Sequence, residues 1–127
     1  MDLLIDTHAI IWFITDDKLL SKKAKSAIED PDNVCFVSTA SLWEMSIKHG
    51  LGNLKLEKDL ESIFILIEQS GFQLLPIFPN HLLKNAHLES HHRDPFDRLI
   101  IAQAIAENFT IITKDALFSA YRVDLLW

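Results

Sequence analysis

Four carboxylates in this 127-residue sequence stand where an acid is chemically informative. Asp6 follows the apolar run Leu3-Leu4-Ile5, Glu44 sits between Trp43 and Met45, Asp97 ends the turn Asp94-Pro95-Phe96-Asp97, and Asp115 follows Ile111-Ile112-Thr113-Lys114. Each has a structural alternative. Asp97 completes a capping box, Asp115 can cap a short helix, and Lys48, four residues after Glu44, can form a surface pair with it. Asp6 is harder to explain structurally, because it interrupts a segment heading for the interior, where an unpartnered charge is costly. If the four converge in one cleft they repel one another, and their pKa values rise unless a cation neutralises them. An all-oxygen donor set selects Mg²⁺ or Mn²⁺. Zinc more often recruits cysteine or clustered histidine, which here occurs only as His91-His92. A carboxylate-held Mg²⁺ in an open cleft suits phosphoryl transfer to water.

The surrounding pattern supplies elements to hold these acids. Asp2-Leu3-Leu4-Ile5 and Val34-Cys35-Phe36-Val37 are of strand length, and each leads into a helical pattern. Ser38, Thr39 or Ser41 can cap a helix running to about Lys48, with Gly50 placed to end it in a left-handed conformation. Leu56, Leu60, Ile63, Phe64 and Ile67 mark one face of a further helix that Gly71 terminates. Gln73-Leu74-Leu75-Pro76-Ile77 reads as a strand that Pro76 pushes to the end or edge of a sheet, followed by a helix around Asn80 to Leu88. Asp94 as N-cap and Pro95 at the first position open the clearest helix, with Leu99, Ile100, Ala102 and Ala106 on its buried side. Phe109 to Thr113 returns as a strand, and Ala116 to Ala120 form a short helix. Strands alternating with helices, and apolar on both faces, predict an α/β fold: a mainly parallel sheet covered by helices on each side. Ligands of such sheets bind outside the carboxyl ends of the strands, where the four acids fall.

Length and composition suit one packed domain spanning residues 1–127, with 49% apolar and 24% charged residues and only three glycines. No apolar stretch reaches the roughly 20 residues needed to cross a bilayer, and Asp2 and Asp6 stand where a secretory leader would carry basic residues. A cytoplasmic protein is expected. Cys35, the sole cysteine, sits in an apolar strand and reads as a buried thiol. The formal charge of −6, from 12 basic and 18 acidic residues, argues mildly against a broad nucleic-acid surface. Setting the four acids aside leaves only −2, so a local basic rim is compatible with it.

The motifs together resemble the PIN-domain ribonucleases that act as toxins of bacterial type II toxin–antitoxin pairs, the VapC-like proteins. The matching stretches are Leu4-Ile5-Asp6-Thr7-His8 with Trp12, Ser41-Leu42-Trp43-Glu44 with Lys48, His92-Arg93-Asp94-Pro95-Phe96-Asp97-Arg98 leading into Ala102-Gln103-Ala104, and Ile112-Thr113-Lys114-Asp115. With the closing Tyr121 to Trp127 segment, the resemblance spans the chain. It implies a three-layer α/β/α sandwich and hydrolysis of single-stranded RNA by one or two Mg²⁺ or Mn²⁺ ions, in a homodimer often silenced by a small antitoxin. Carried over by position, Asp6, Asp97 and Asp115 are the principal metal ligands. Glu44 is a further ligand or positions the attacking water, and Thr113 supplies a supporting hydroxyl.

Other residues carry weaker expectations. Arg93 and Arg98 could position phosphate, since guanidinium groups offer it paired donors, although Arg98 could merely balance the acids. His8 could contact phosphate beside Asp6 or simply cap or pack at a helix start, and His92 could hydrogen-bond RNA. Asp94 reads as a structural cap, and Trp12, Trp43 and Phe96 as core rather than base-stacking platforms. Lys22, Lys23 and Lys25 read as a solvated helix face. Two other classes compete. An aspartyl-phosphate phosphatase would want an acid two residues after Asp6, where His8 stands; a noncatalytic binding module would not need all four acids.

Overall fold

Alternation along the strands sends neighbouring side chains to opposite sides of one sheet. The computed structural model describes residues 1–54 and 56–127. In β1 (Asp2–Ile5), Leu3 and Ile5 enter one core while Leu4 enters the other. β4 (Thr110–Ile112) splits Ile112 and Ile111 in the same way. Both faces are therefore covered. The first core is closed by α1 (Thr7–Ile14), α2 (Lys22–Glu29), α3 (Thr39–Gly50) and α4 (Leu60–Gln69), through Ile10, Ile28, Met45 and Ile63 among others. The second is closed by α6 (Pro95–Glu107), with α5 (Pro79–Ala86) packed against it.

Between these layers, β2 (Val34–Ser38), β3 (Gln73–Leu75) and β5 (Leu125–Leu126) join β1 and β4 in the order β3-β2-β1-β4-β5. Every described pairing is parallel, so the expected three-layer α/β/α sandwich is present. β3, the strand carrying the Pro76 signal, is at the edge. The chain builds outward from β1 in one direction and then, with β4, in the other. The crevice between β1 and β4 is thus the topological switch point, where open α/β sheets bind ligands.

Several boundaries differ from expectation for local reasons. Gly50 remains helical; the left-handed residue is Gly52, two positions later, at φ +74°. α4 begins only at Leu60, because the Asp59 carboxylate caps it through Ser62 N–H, and Leu56 packs on the core ahead of the helix. α6 is not amphipathic in its middle: Leu99 through Ala104 are all buried, Ile101 and Gln103 included, because the helix lies between the sheet, α5 and α3. It ends at Asn108 in the left-handed region, φ 60°. Residues Ala116–Ala120 form a 3₁₀ turn. None of the described helices is long and apolar enough to cross a membrane.

Candidate metal centre

Three of the four acids sit at helix starts, where free backbone N–H groups and the helix dipole favour a negative charge. Asp6 leaves β1 and caps α1, its Oδ1 accepting from Ala9 N–H at 2.8 Å. The residue is only 7% exposed. Burial pushes its carboxyl above the ordinary range, against the lowering effect of hydrogen bonds from the Thr113 side chain and Ala9. Thr113 is buried at the end of β4, and its Oγ1 also accepts from Asp115 N–H at 3.1 Å, so one hydroxyl braces both acids across the switch point. Asp115 caps the 3₁₀ turn through Leu117 N–H at 2.9 Å.

Asp97 occupies the first turn of α6, and the expected capping box is only half made. Asp94 accepts from Phe96 and Asp97 N–H at 2.8 and 3.3 Å, but among the described residues the Asp97 carboxylate returns no bond to the cap. It approaches His92 and Asp115 instead. Desolvation first, then the charges of Asp94, Glu44, Asp6 and Asp115, raise its pKa to about 7. The charges of the four proposed acids are therefore felt together at Asp97, while burial raises Asp6 as well.

Glu44 is only 2% exposed, so the expected surface pair with Lys48 is a pair whose acidic half is buried. The Thr7 hydroxyl donates to Oε1 at 2.6 Å and lies 2.9 Å from Ser41 Oγ, while the Lys48 ammonium holds Oε2. Desolvation would lower the Lys48 pKa, but the bond to Glu44 and the charges of Glu44, Asp94 and Asp97 prevail and hold it above its ordinary value.

His92 enters the site, although the sequence suggested only a residue able to hydrogen-bond RNA. Its side chain is 5% exposed. One ligand atom each from His92, Asp97 and Asp115 lie within 4.8 Å of one another, a spacing that a single divalent ion can bridge. Clustered carboxylates with one imidazole fit such an ion by donor type and by their uncompensated charge. The signal that would have found His92 is Tyr121, 29 residues away, whose hydroxyl gathers the His91 and His92 backbone N–H groups.

The remaining expectations divide. His8 is exposed, tilted against Trp12 at 5.8 Å, and with Asp6, Trp12, Lys114 and Asp115 lines an open depression of about 430 Å³. Trp12 packs on the core and also walls this depression. Trp43 is not core: it is 57% exposed, edge-on to half-buried Phe96 at 5.1 Å. Arg93 is exposed beside the site. Arg98 donates to the Leu88 and Glu89 carbonyls at 3.1 and 2.9 Å, so its guanidinium is committed to the loop before α6 rather than turned to phosphate. Lys22, Lys23 and Lys25 lie on the exposed side of α2, Lys25 pairing with Asp16. Cys35 is buried, as expected. A slightly larger depression of about 470 Å³ opens near the amino ends of β2 and β3, lined by Glu29, Asp30 and Gln73 and away from the acids.

Compared with known proteins, the chain is similar over nearly its whole length to solved structures of low sequence identity. One is VapBC2 from Rickettsia felis, determined bound to a DNA fragment from their promoter: 19% identity, TM-score 0.74, covering 98% of this chain and 97% of that one. Another is FitAcB from Neisseria gonorrhoeae: 21% identity, TM-score 0.61, covering 97% and 95%. A third is a toxin–antitoxin complex from Klebsiella pneumoniae: 19% identity, TM-score 0.63, covering 97% and 94%. No curated protein matches by sequence. The PIN domain family matches residues 3–124, and the chain belongs to that family.

Proposed function

We propose that this chain is one PIN domain and a Mg²⁺- or Mn²⁺-dependent endoribonuclease that hydrolyses phosphodiester bonds in single-stranded RNA. The observation that carries the reading is the cluster of His92, Asp97 and Asp115, whose ligand atoms lie within 4.8 Å of one another, with Asp97 raised to about 7 by desolvation and then by the carboxylates around it, a charge pattern that a divalent cation relieves. Asp6, Asp97 and Asp115 would hold the ion. Bound there, it would offset charge on the phosphate and lower the pKa of the attacking water. Water attacks phosphorus, the bond to the ribose oxygen breaks, and that oxygen takes a proton.

The chain's own residues then divide the work. Thr113 holds Asp6 and Asp115 in register across β1 and β4. With both oxygens of Glu44 already bound, its role is to fix the Lys48 ammonium over the cleft or to position water, rather than to ligate directly. Lys48, exposed Arg93 and the depression walled by His8, Trp12 and Lys114 suit an RNA backbone with a base beside it. The solved toxin–antitoxin proteins that the chain resembles support a toxin silenced by a small antitoxin, and we further take it to be cytoplasmic and a homodimer.

Incubating the protein with single-stranded RNA and Mg²⁺ or Mn²⁺ tests the reading. Metal-dependent cleavage that Asp97→Asn abolishes is expected. Intact RNA with every divalent ion would sink it and leave the noncatalytic module, whereas hydrolysis of small phosphomonoesters alone would point to a phosphatase. Sedimentation equilibrium at micromolar concentration tests the dimer.

A further inference from the structure

His92 sits where it could ligate an ion, yet its hydrogen bonds restrict what its ring nitrogens can do. The Tyr121 hydroxyl oxygen accepts two backbone N–H groups, from His91 at 3.1 Å and His92 at 2.8 Å. Two accepted bonds fill the lone pairs of a phenolic oxygen and leave its O–H as a donor. Tyr121 is 7% exposed in the second core, so that O–H must find a protein partner, and His92 Nδ1 lies 3.3 Å away. Nδ1 is therefore the acceptor nitrogen. The ring proton resides on Nε2, which lies 3.4 Å from Asp115 Oδ2. The ring is further held by Phe118, edge-on at 5.1 Å.

We propose that His92 is a positioning residue: Tyr121 sets its tautomer, and its Nε2–H orients the Asp115 carboxylate toward the cleft instead of binding the ion itself. The catalytic consequence rests on Asp115 being a ligand, as proposed above; the hydrogen-bond chain does not. Partners of this kind orient a ligating carboxylate, and their loss typically weakens metal binding by about 10- to 100-fold.

Two measurements on the full chain test this. In protein with ¹⁵N-labelled histidine, long-range ¹H–¹⁵N correlations report which ring nitrogen of His92 carries the proton. Protonated Nε2 and bare Nδ1 are expected both without metal and at saturating Mg²⁺. Bare Nε2, or an Nε2 resonance that moves to a metal-bound position when Mg²⁺ is added, would overturn the proposal. The second measurement is Mn²⁺ affinity by calorimetric titration for wild type, His92→Gln and His92→Ala. Gln can present an amide N–H near the place of Nε2, so it should stay within about threefold of wild type, while Ala should lose about tenfold or more. Equal losses in the two variants would mark His92 as a ligand, and no loss in either would remove its role. Both readouts are independent of RNA cleavage, so a wild type inactive on RNA that still shows this tautomer and this order of affinities would defeat the ribonuclease reading and not this one.

Discussion

Glu44 and Asp97 face one cleft from the packed helices α3 and α6, yet the protein matches the charge of only one of them. Glu44 is the more deeply buried, and both its oxygens are bound, by the Thr7 hydroxyl and the Lys48 ammonium. Asp97 has no cationic partner among the described residues within salt-bridge range, and desolvation, followed by the charges of four other carboxylates, raises its pKa to about 7. The difference teaches where a diffusible cation belongs. At the Glu44 end the chain carries its own cation; at the Asp97 and Asp115 end, beside His92, it leaves the charge open, and there the carboxylate oxygens come within 4.8 Å of each other.

The comparison is broken most severely by neutralising the open end. Asp97→Asn keeps the volume and removes the charge that would meet the ion, so RNA cleavage should slow at least about a hundredfold, the scale on which lost positioning is felt. Without metal, the variant should unfold at the same or higher urea concentration than wild type, because repulsion from Glu44, Asp6 and Asp115 is relieved. Stabilisation by Mg²⁺ should shrink with it, since that stabilisation comes from binding the folded state alone. Cleavage at the wild-type rate would remove Asp97 from the site.

Neutralising the compensated end should act on stability instead. Lys48→Met leaves buried Glu44 with the Thr7 bond and no cation. Breaking a buried pair from one side usually costs 3–5 kcal/mol, but the Lys48 side chain is 36% exposed and water can reach the vacated place, so about 2 kcal/mol is expected from urea unfolding. The double variant Lys48→Met with Glu44→Gln should recover part of the loss, and failure to do so would show that Lys48 acts through packing.

The pH dependence has a definite sign. The Asp97 carboxyl has a folded-state pKa of about 7 against an ordinary 3.8, so the folded protein holds this proton more tightly than the unfolded chain does. Its stabilising contribution is complete below about 3.8 and is lost as pH rises through about 7. Asp6, also raised by burial, acts in the same direction. A divalent ion competes with the proton on Asp97, so Mn²⁺ affinity should increase by up to about tenfold between pH 6 and 7 and level off above, one pH unit being worth about 1.4 kcal/mol. Titration calorimetry at pH 5.5 to 8.5 measures it. A flat profile would place the ion away from Asp97.

Much of this contrast was legible in the sequence, because it rests on local spacing. The fourfold spacing of Glu44 and Lys48 announces a pair, and Asp94-Pro95 announces a helix start. The alternation of strands and helical patterns was enough for a parallel three-layer fold. What was not legible depends on tertiary packing. Whether Trp43 is covered depends on which face of α3 meets α6, and Arg98 was spent on loop carbonyls ten and nine residues earlier. The apolar spacing extends the α4 pattern back to Leu56, which packs on the core without being helical. His92 is hidden from the sequence for the same reason: its partners Asp115 and Tyr121 are 23 and 29 residues away, beyond any local pattern.

The smallest expected effect sharpens the comparison by holding charge apart from capping. Asp94 lies three residues before Asp97, and its carboxylate raises both the Asp97 and the Lys48 pKa. Its Oδ1, however, accepts from Phe96 and Asp97 N–H, and Asn offers the same oxygen to the same donors. Asp94→Asn should therefore leave stability within about 0.5 kcal/mol of wild type, the loss of favourable charge at the helix start being offset by less repulsion at Asp97. Its trace should be electrostatic: with one of four flanking carboxylates gone, the pH at which Mn²⁺ affinity levels off should move down from about 7, while cleavage at pH 8 stays within about threefold of wild type. Urea unfolding, the calorimetric pH series and a cleavage rate together decide it. A large loss of cleavage in Asp94→Asn, comparable to that in Asp97→Asn, would mean that Asp94 belongs to the open end as a ligand and not to the frame that holds it.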